Sequence, residues 1–185
     1  MTIKFFFLSI LSIASFSFSA LLDDGISVHT AQKNGQFHGK DKRVYLECTY
    51  EINIPEEGIL KRSFQIKAFE DLNLEGMDPI TKGTKLGYLN VSLHGTCLDI
   101  NTIEIDKRFR NKKLGQEALS TLLSIYSSPK RAHLPFDHFC ITTKTYNTAA
   151  LECYKKCGFE IRPSDKDHPT PPEWVYLFKD KVLKN

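Results

Sequence analysis

The 185-residue chain shows no strong excess of either charge: 25 Lys and Arg stand against 22 Asp and Glu, a formal net charge of +3. So even a balance does not imply the clustered basic face of a nucleic-acid-binding domain, and no nucleic acid is expected as a partner. Cysteine is sparse. Five residues are too few for a disulfide scaffold in a chain of this length, and the odd number leaves at least one thiol unpaired. There is no internal repeat and, beyond Leu22, no low-complexity linker. A Gly-x-Ser-x-Gly nucleophile motif is missing. His29, His38, His94, His133, His138 and His168 are scattered without the fixed Cys/His spacing of a metal site, so no metal is expected. What is present is ordinary: 41% hydrophobic and 25% charged residues, enough for one globular domain with a short appendage. That composition excludes a disordered, collagen-like or polytopic membrane protein.

One long uncharged run exists, from Phe5 to Leu22, preceded by Lys4 and followed by Asp23 and Asp24. A cation, an apolar stretch and small residues near Ser17 and Ser19 are the layout of a secretory signal peptide over residues 1–19. The run spans 18 residues, at the short edge of what crosses a bilayer, so a membrane anchor is the second reading. A buried N-terminal helix is the third. The expectation is export, with membrane contact only if the leader stays attached, and a membrane-anchored or cytoplasmic protein as the alternative. Cys48, Cys97, Cys140, Cys153 and Cys157 read as free thiols, which leans towards a reducing final destination.

Residues 20–42 are polar and form a loose leading segment; the main domain is expected over 43–185. Val44 to Ile54, Arg62 to Phe69, Gly87 to His94 and Cys97 to Ile105 alternate as strands, with a turn at 55–58 and a loop from Asp71 to Lys85. From Leu114 to Tyr126 the apolar residues shift to helical spacing. A strand over Asp137 to Thr143, a helix over Asn147 to Cys157 capped by Gly158, and a strand over Glu173 to Lys179 complete the order. This predicts an α/β (α+β) domain with a mixed, mainly antiparallel central sheet flanked by helices.

The most specific segment is Cys97 to Tyr126. A strand ending in Ile103-Glu104-Ile105 runs through a basic turn, Arg110-Asn111-Lys112-Lys113-Leu114-Gly115-Gln116, into a long amphipathic helix. Unpaired amides of the first helical turn, the helix dipole and three cations make this an anion site suited to a pyrophosphate. Basic turns before helices are also common as plain solvated surface. Cys153 and Cys157, four apart on one helical face, read as buried structural thiols, as does Cys140. His133 and His138 flank Leu-Pro-Phe-Asp in a loop, a substrate or metal role being the lesser reading.

Here the chain resembles the GCN5-related N-acetyltransferase (GNAT) family of acetyl-CoA-dependent transferases. Ile105, Phe109, Arg110, Leu114 and Gly115 fit its pyrophosphate motif, and Asn147, Ala150, Tyr154 and Gly158-Phe159 fit the second motif downstream. The resemblance covers residues 85–161 and implies an acyl-CoA N-acyltransferase-like fold and direct acetyl transfer from acetyl-CoA to an amine in a ternary complex. It further implies that Ile103, Glu104 and Ile105 pair with the pantetheine arm and that Asn111 to Gln116 hold the pyrophosphate. Asn147 would orient the pantetheine, and Tyr154 would protonate the departing thiolate. The general base would be Asp99, with Glu104 as the fallback; strict alternation puts the two on opposite sheet faces unless a bulge intervenes. The acceptor is an amine-bearing small molecule or protein, with the Gly76–Gly87 region as its rim.

The motif departs at one place: Lys113 stands where the first glycine of the phosphate loop belongs. Lysine is expected to take a helical conformation and set its ammonium over the phosphate. The alternative is weakened CoA binding and an exported, non-catalytic binding protein on the same fold. Acetyl-CoA is a cytosolic metabolite, so an exported enzyme needs a destination that holds it, such as the cytosol of a host cell.

Overall fold

The computed structural model describes residues 29–30, 36–38, 43–54, 59–132, 134–162 and 171–182. The leader over 1–19, the turn at 55–58 and His133 lie outside them.

Among the described residues nine strands form one sheet: β1 (His29–Thr30), β2 (Gln36–His38), β3 (Val44–Ile54), β4 (Ile59–Ala68), β5 (Lys85–His94), β6 (Cys97–Ile105), β7 (His138–Lys144), β8 (Glu160–Arg162) and β9 (Trp174–Asp180). Two α-helices join them, α1 (Leu114–Tyr126) and α2 (Thr148–Lys156). The spatial order is β1-β3-β4-β5-β6-β7-β9-β8, with β2 also paired to β3. Every pair is antiparallel except β6 with β7. The expected mixed, mainly antiparallel sheet is therefore what forms. Two short strands, β1 and β2, occur inside the segment read as loose, and β8 was not expected. Strand β4 begins at Ile59 rather than at Arg62, because the hairpin register with β3 continues to the pair Ile54↔Ile59. Strand β7 runs from His138 to Lys144, one residue later at each end than the expected Asp137 to Thr143.

Both helices deliver apolar side chains to one cluster. Leu114, Ala118, Leu119, Leu122 and Tyr126 of α1 and Tyr154 of α2 pack with Phe64, Leu89, Leu98 and Ile141 from the strands. Arg62, 6% exposed, fastens α1 to the sheet by donating to Tyr126 Oη (3.0 Å) and Glu51 Oε1 (2.5 Å). A buried cation with both partners in place offsets its desolvation; losing either partner would leave a charge uncompensated.

One irregularity positions the site. Strand β6 pairs Asn90↔Thr102 and then Val91↔Ile100, which leaves Asn101 as an extra residue. This β-bulge reverses the alternation of side chains. Leu98 and Ile100 before it, and Ile103 and Ile105 after it, share the helix-covered face. Cys97, Asp99, Thr102 and Glu104 share the other.

Candidate active site

The β6–β7 ladder covers only Cys97↔His138, Leu98↔Phe139 and Asp99↔Cys140. Beyond Asp99 the two strands part, so the β6 edge from Ile100 to Ile105 faces an opening rather than a neighbouring strand. Such an edge offers backbone donors and acceptors to an extended, amide-bearing guest. The opening leads into a cleft of about 520 Å³ lined by Ile103, Ile105, Phe109, Arg110, Asn111, the 113–116 turn and, from α2, Ala150, Cys153 and Tyr154.

At one end of the cleft the chain enters α1. Asn111 and Lys113 both hold φ of +63°, the left-handed region, while Arg110 lies at −66°. Lys113 thus does not take the helical conformation expected of it; it takes the one that glycine would hold there. Positive φ at alternate residues turns successive N–H groups towards one side, as in an anion-binding nest. Glu117 N, donating to Lys113 O, makes the first bond of α1, so the amides of Leu114, Gly115 and Gln116 precede the helical ladder. Gly115 lets the helix sit close to β6, since a Cβ there would meet Ile105 Cγ1 at 3.4 Å. Arg43 holds the turn from behind, donating to Lys112 O (3.2 Å) and pairing with Glu117. Pairing withdraws the Glu117 carboxylate from the otherwise positive helix end.

Not every expected ligand reaches the cleft. Lys112 is tied away from it, its Nζ donating to Glu75 O at 2.6 Å. Arg110 lines the cleft while its Nε donates to Ile105 O (3.0 Å) and its terminal nitrogen lies 3.4 Å from Glu104 Oε1. Asn147 is the N-cap of α2, where it accepts from Ala150 N (3.3 Å) and donates to Thr143 Oγ1 (3.3 Å), and it is not among the lining residues. Asp99 and Glu104 are absent from the lining as well. Strict alternation had put these two carboxylates on opposite faces; the Asn101 bulge puts them on the same face, away from the helices. Glu104 accepts from Tyr88 Oη at 2.7 Å, which raises the Tyr88 pKa.

At the other end stands Tyr154, 7% exposed. Burial, with the nearby Cys153 and Cys157 sulfurs, pushes its phenol up to about 12, so it keeps its proton at neutral pH and can give it away. Cys153 and Cys157 form a hydrogen-bonded pair: the Cys153 thiol is pushed up, and Cys157, accepting from it and from Ser120, is pulled down to about 7. Cys153 therefore lines the cleft and is not merely a core thiol. The i, i+4 spacing next to Tyr154 carried that signal, and Phe109, which is buried, was marked by its place in the pyrophosphate motif.

A second cleft, of about 880 Å³, is bounded by Gly76–Thr81, Thr84, Arg108 and Phe109, within the region expected to form the acceptor rim. The two clefts share Phe109.

The thiol inventory also changes. Cys97 and Cys140 form a disulfide, while Cys48, Cys153 and Cys157 remain thiols. All five had been read as free. The pairing depends on β6 and β7 being neighbours, and the sequence separation of 43 hides that.

Residues 79–159 match the acetyltransferase (GNAT) family. No curated protein gives a significant match. Among solved structures, the RimL ribosomal L7/L12 α-N-protein acetyltransferase in complex with coenzyme A is 12% identical with a TM-score of 0.50; the likeness covers 70% of this chain and 66% of that one. The ribosomal-protein-S18-alanine N-acetyltransferase of Escherichia coli is 14% identical over 66% of this chain and 70% of its own, at a TM-score of 0.46. Spermidine N-acetyltransferase of Vibrio cholerae, in complex with CoA and spermine, is 12% identical over 65% and 66%, at 0.47. The fold is that of the acyl-CoA N-acyltransferases, and residues 79–159 carry a likeness to the GNAT acetyltransferase family.

Proposed function

We propose that the protein transfers an acetyl group from acetyl-CoA directly to an amine held in a ternary complex. The observation that carries this is the phosphate-type turn. Asn111 and Lys113 keep the left-handed backbone of a nest at the mouth of α1 although neither is glycine, and they do so in the same cleft as a protonated, buried tyrosine. A turn that had lost its ligand would have no reason to keep a conformation costing about 1–2 kcal/mol per L-residue.

In this reading the amides of residues 111–116, with Lys113 and Arg110, hold the pyrophosphate. The free β6 edge at Ile103–Ile105 receives the pantetheine amides, which brings the thioester towards Tyr154. An uncharged amine attacks the thioester carbonyl, the carbon–sulfur bond breaks, and Tyr154 Oη protonates the departing sulfur. The amine's own proton goes to Glu104 through a chain of water, since that carboxylate lies at the turn end of β6 and on the face opposite the cleft, away from the thioester. Asp99, engaged with Cys97, takes no part. The RimL and spermidine enzymes act, by their names, on a protein amine and a polyamine; an amine on a small molecule or a protein is accordingly the acceptor class. Export remains part of the proposal, supported by the uncharged run over 5–22 and by the Cys97–Cys140 disulfide, which suits an oxidising compartment.

Calorimetric titration of acetyl-CoA into the folded protein tests the reading. Micromolar binding supports it and sets up an amine screen, in which Tyr154→Phe should lower kcat by about 100-fold with little change in KM. No binding up to millimolar acetyl-CoA refutes it and leaves an exported, catalytically silent domain on the same fold.

A further inference from the structure

The sheet face away from the helices carries a second, smaller cluster, made of Cys97, Cys140, Tyr176 and Phe178. Its centre is a square of four side chains. The parallel register sets Cys97 beside His138 and Asp99 beside Cys140, and the i, i+2 steps along β6 and β7 keep all four on one face. The Cys97 and Cys140 sulfurs and a ring nitrogen of His138 lie within 4.8 Å of one another. Cys97 Sγ is 3.4 Å from Asp99 Oδ1. Both cysteines are fully buried, and His138 is held in place by its hydrogen bond with Asp137 and by the Phe178 ring, 5.1 Å away.

We infer that this square is a zinc-class metal site in the dithiol state of the protein, and that the Cys97–Cys140 disulfide is its metal-free, oxidised alternative. Two sulfurs, an imidazole and a carboxylate are the ligand types that zinc takes in four-coordinate sites. Bonds of about 2.0–2.3 Å imply tetrahedral edges of about 3.3–3.8 Å, reachable from the observed separations of the two sulfurs and the His138 nitrogen by small side-chain movements; Asp99, beside Cys97 but outside that trio, turns in as the fourth ligand. The Cα atoms of the two cysteines are 6.1 Å apart, a separation that serves the disulfide without rebuilding the strands. The exchange balances: a dithiol reductant gives two electrons and two protons to the Cys97–Cys140 bond and leaves as its own cyclic disulfide. Zn²⁺ then displaces the two thiol protons to solvent. Either state pins β6 to β7 at the vertex of the cleft. A chain that crosses from an oxidising to a reducing compartment would exchange one fastening for the other without losing it.

The test uses the full chain, reduced and kept free of oxygen, and titrated with Co²⁺ as a spectroscopic stand-in for zinc. The expected result is uptake of a single equivalent with thiolate-to-cobalt charge-transfer and tetrahedral ligand-field bands, displaced by Zn²⁺. The chain oxidised with diamide should show none. Cys140→Ser should abolish the bands. Asp99→Asn, which leaves both cysteines in place should Cys140→Ser fail to fold, should weaken binding about tenfold or more. A Cys153→Ser, Cys157→Ser double variant should bind as the parent does. The proposal is overturned if the reduced chain takes up no Co²⁺, or if the oxidised chain takes up as much. It is equally overturned if the bands survive Cys140→Ser and vanish in the double variant, which would assign the metal to the α2 thiols.

Discussion

Replacing Lys113 by glycine should move stability and ligand affinity in opposite directions. Lys113 sits at φ +63°, ψ 5°, as the N-cap of α1, with no side-chain capping bond. The left-handed region costs an L-residue about 1–2 kcal/mol, and glycine is free of that cost. Part of the gain, about 0.5–1 kcal/mol, is offset by glycine's larger freedom in the unfolded chain. The net effect is stabilisation of about 0.5–1 kcal/mol, or a rise in Tm of about 1–4 °C for a chain of this size. The same change removes an exposed ammonium from the edge of the anion site, worth roughly 1 kcal/mol against a phosphate, so acetyl-CoA should bind about fivefold more weakly. That loss should shrink as salt rises, because exposed pairs are screened. Lys113→Ala separates the two effects, since alanine keeps the strained backbone and discards the charge. It should bind as weakly as Lys113→Gly without gaining stability. Calorimetric unfolding and acetyl-CoA titration at two salt concentrations read both quantities. The reasoning fails if Lys113→Gly is less stable than the parent, or if Lys113→Ala is stabilised equally. Tighter binding by the glycine variant would show that close approach of the backbone outweighs the charge.

Three further outcomes follow from the same geometry. Tyr154, raised from 10.0 to about 12 by burial, keeps its proton in the folded state after the unfolded chain has lost it; its contribution is intact below pH 10 and is lost between pH 10 and 12. The loss reaches up to about 3 kcal/mol, and the difference in alkaline denaturation between the parent and Tyr154→Phe isolates it, vanishing if the phenol titrates normally. Gly87→Ala should destabilise by about 1–3 kcal/mol or disrupt folding, because its Cβ would stand 2.1 Å from Glu104 O; an unchanged denaturation midpoint would contradict the close approach of β5 to β6. Cys157, pulled down to about 7 chiefly by the hydrogen bond from Cys153, should react with iodoacetamide along a pH profile centred near 7. Cys153→Ser should alter that profile, and peptide mapping of the alkylated residue checks the assignment.

The sequence by itself determined the elements and the chemistry of the turn. Strands β3 and β6 and helix α1 were readable to the residue, because alternation of apolar residues in a strand and their three-to-four spacing in a helix record which side faces the core. The basic turn leading into α1, and Tyr154 on a later helix, were likewise visible, since residue types and spacing travel with the chain. Short edge strands were not: β1, β2 and β8 have only two or three residues each, too few for a period to register, and they exist because a neighbouring strand offers them hydrogen bonds. Tertiary structure alone decided which predicted side chains converge. Lys112 and Lys113 are adjacent and alike in sequence, yet one is drawn to Glu75 while the other lines the cleft, a choice made by the sign of φ at two residues. Asn147 spends its side chain on capping α2. The Asn101 bulge, a property of the register with β5, sends Asp99 and Glu104 to one face. The Cys97–Cys140 bridge and the square around it arise because β6 and β7 lie side by side for three residue pairs before they part. That pairing joins residues distant along the chain, and no local pattern encodes it.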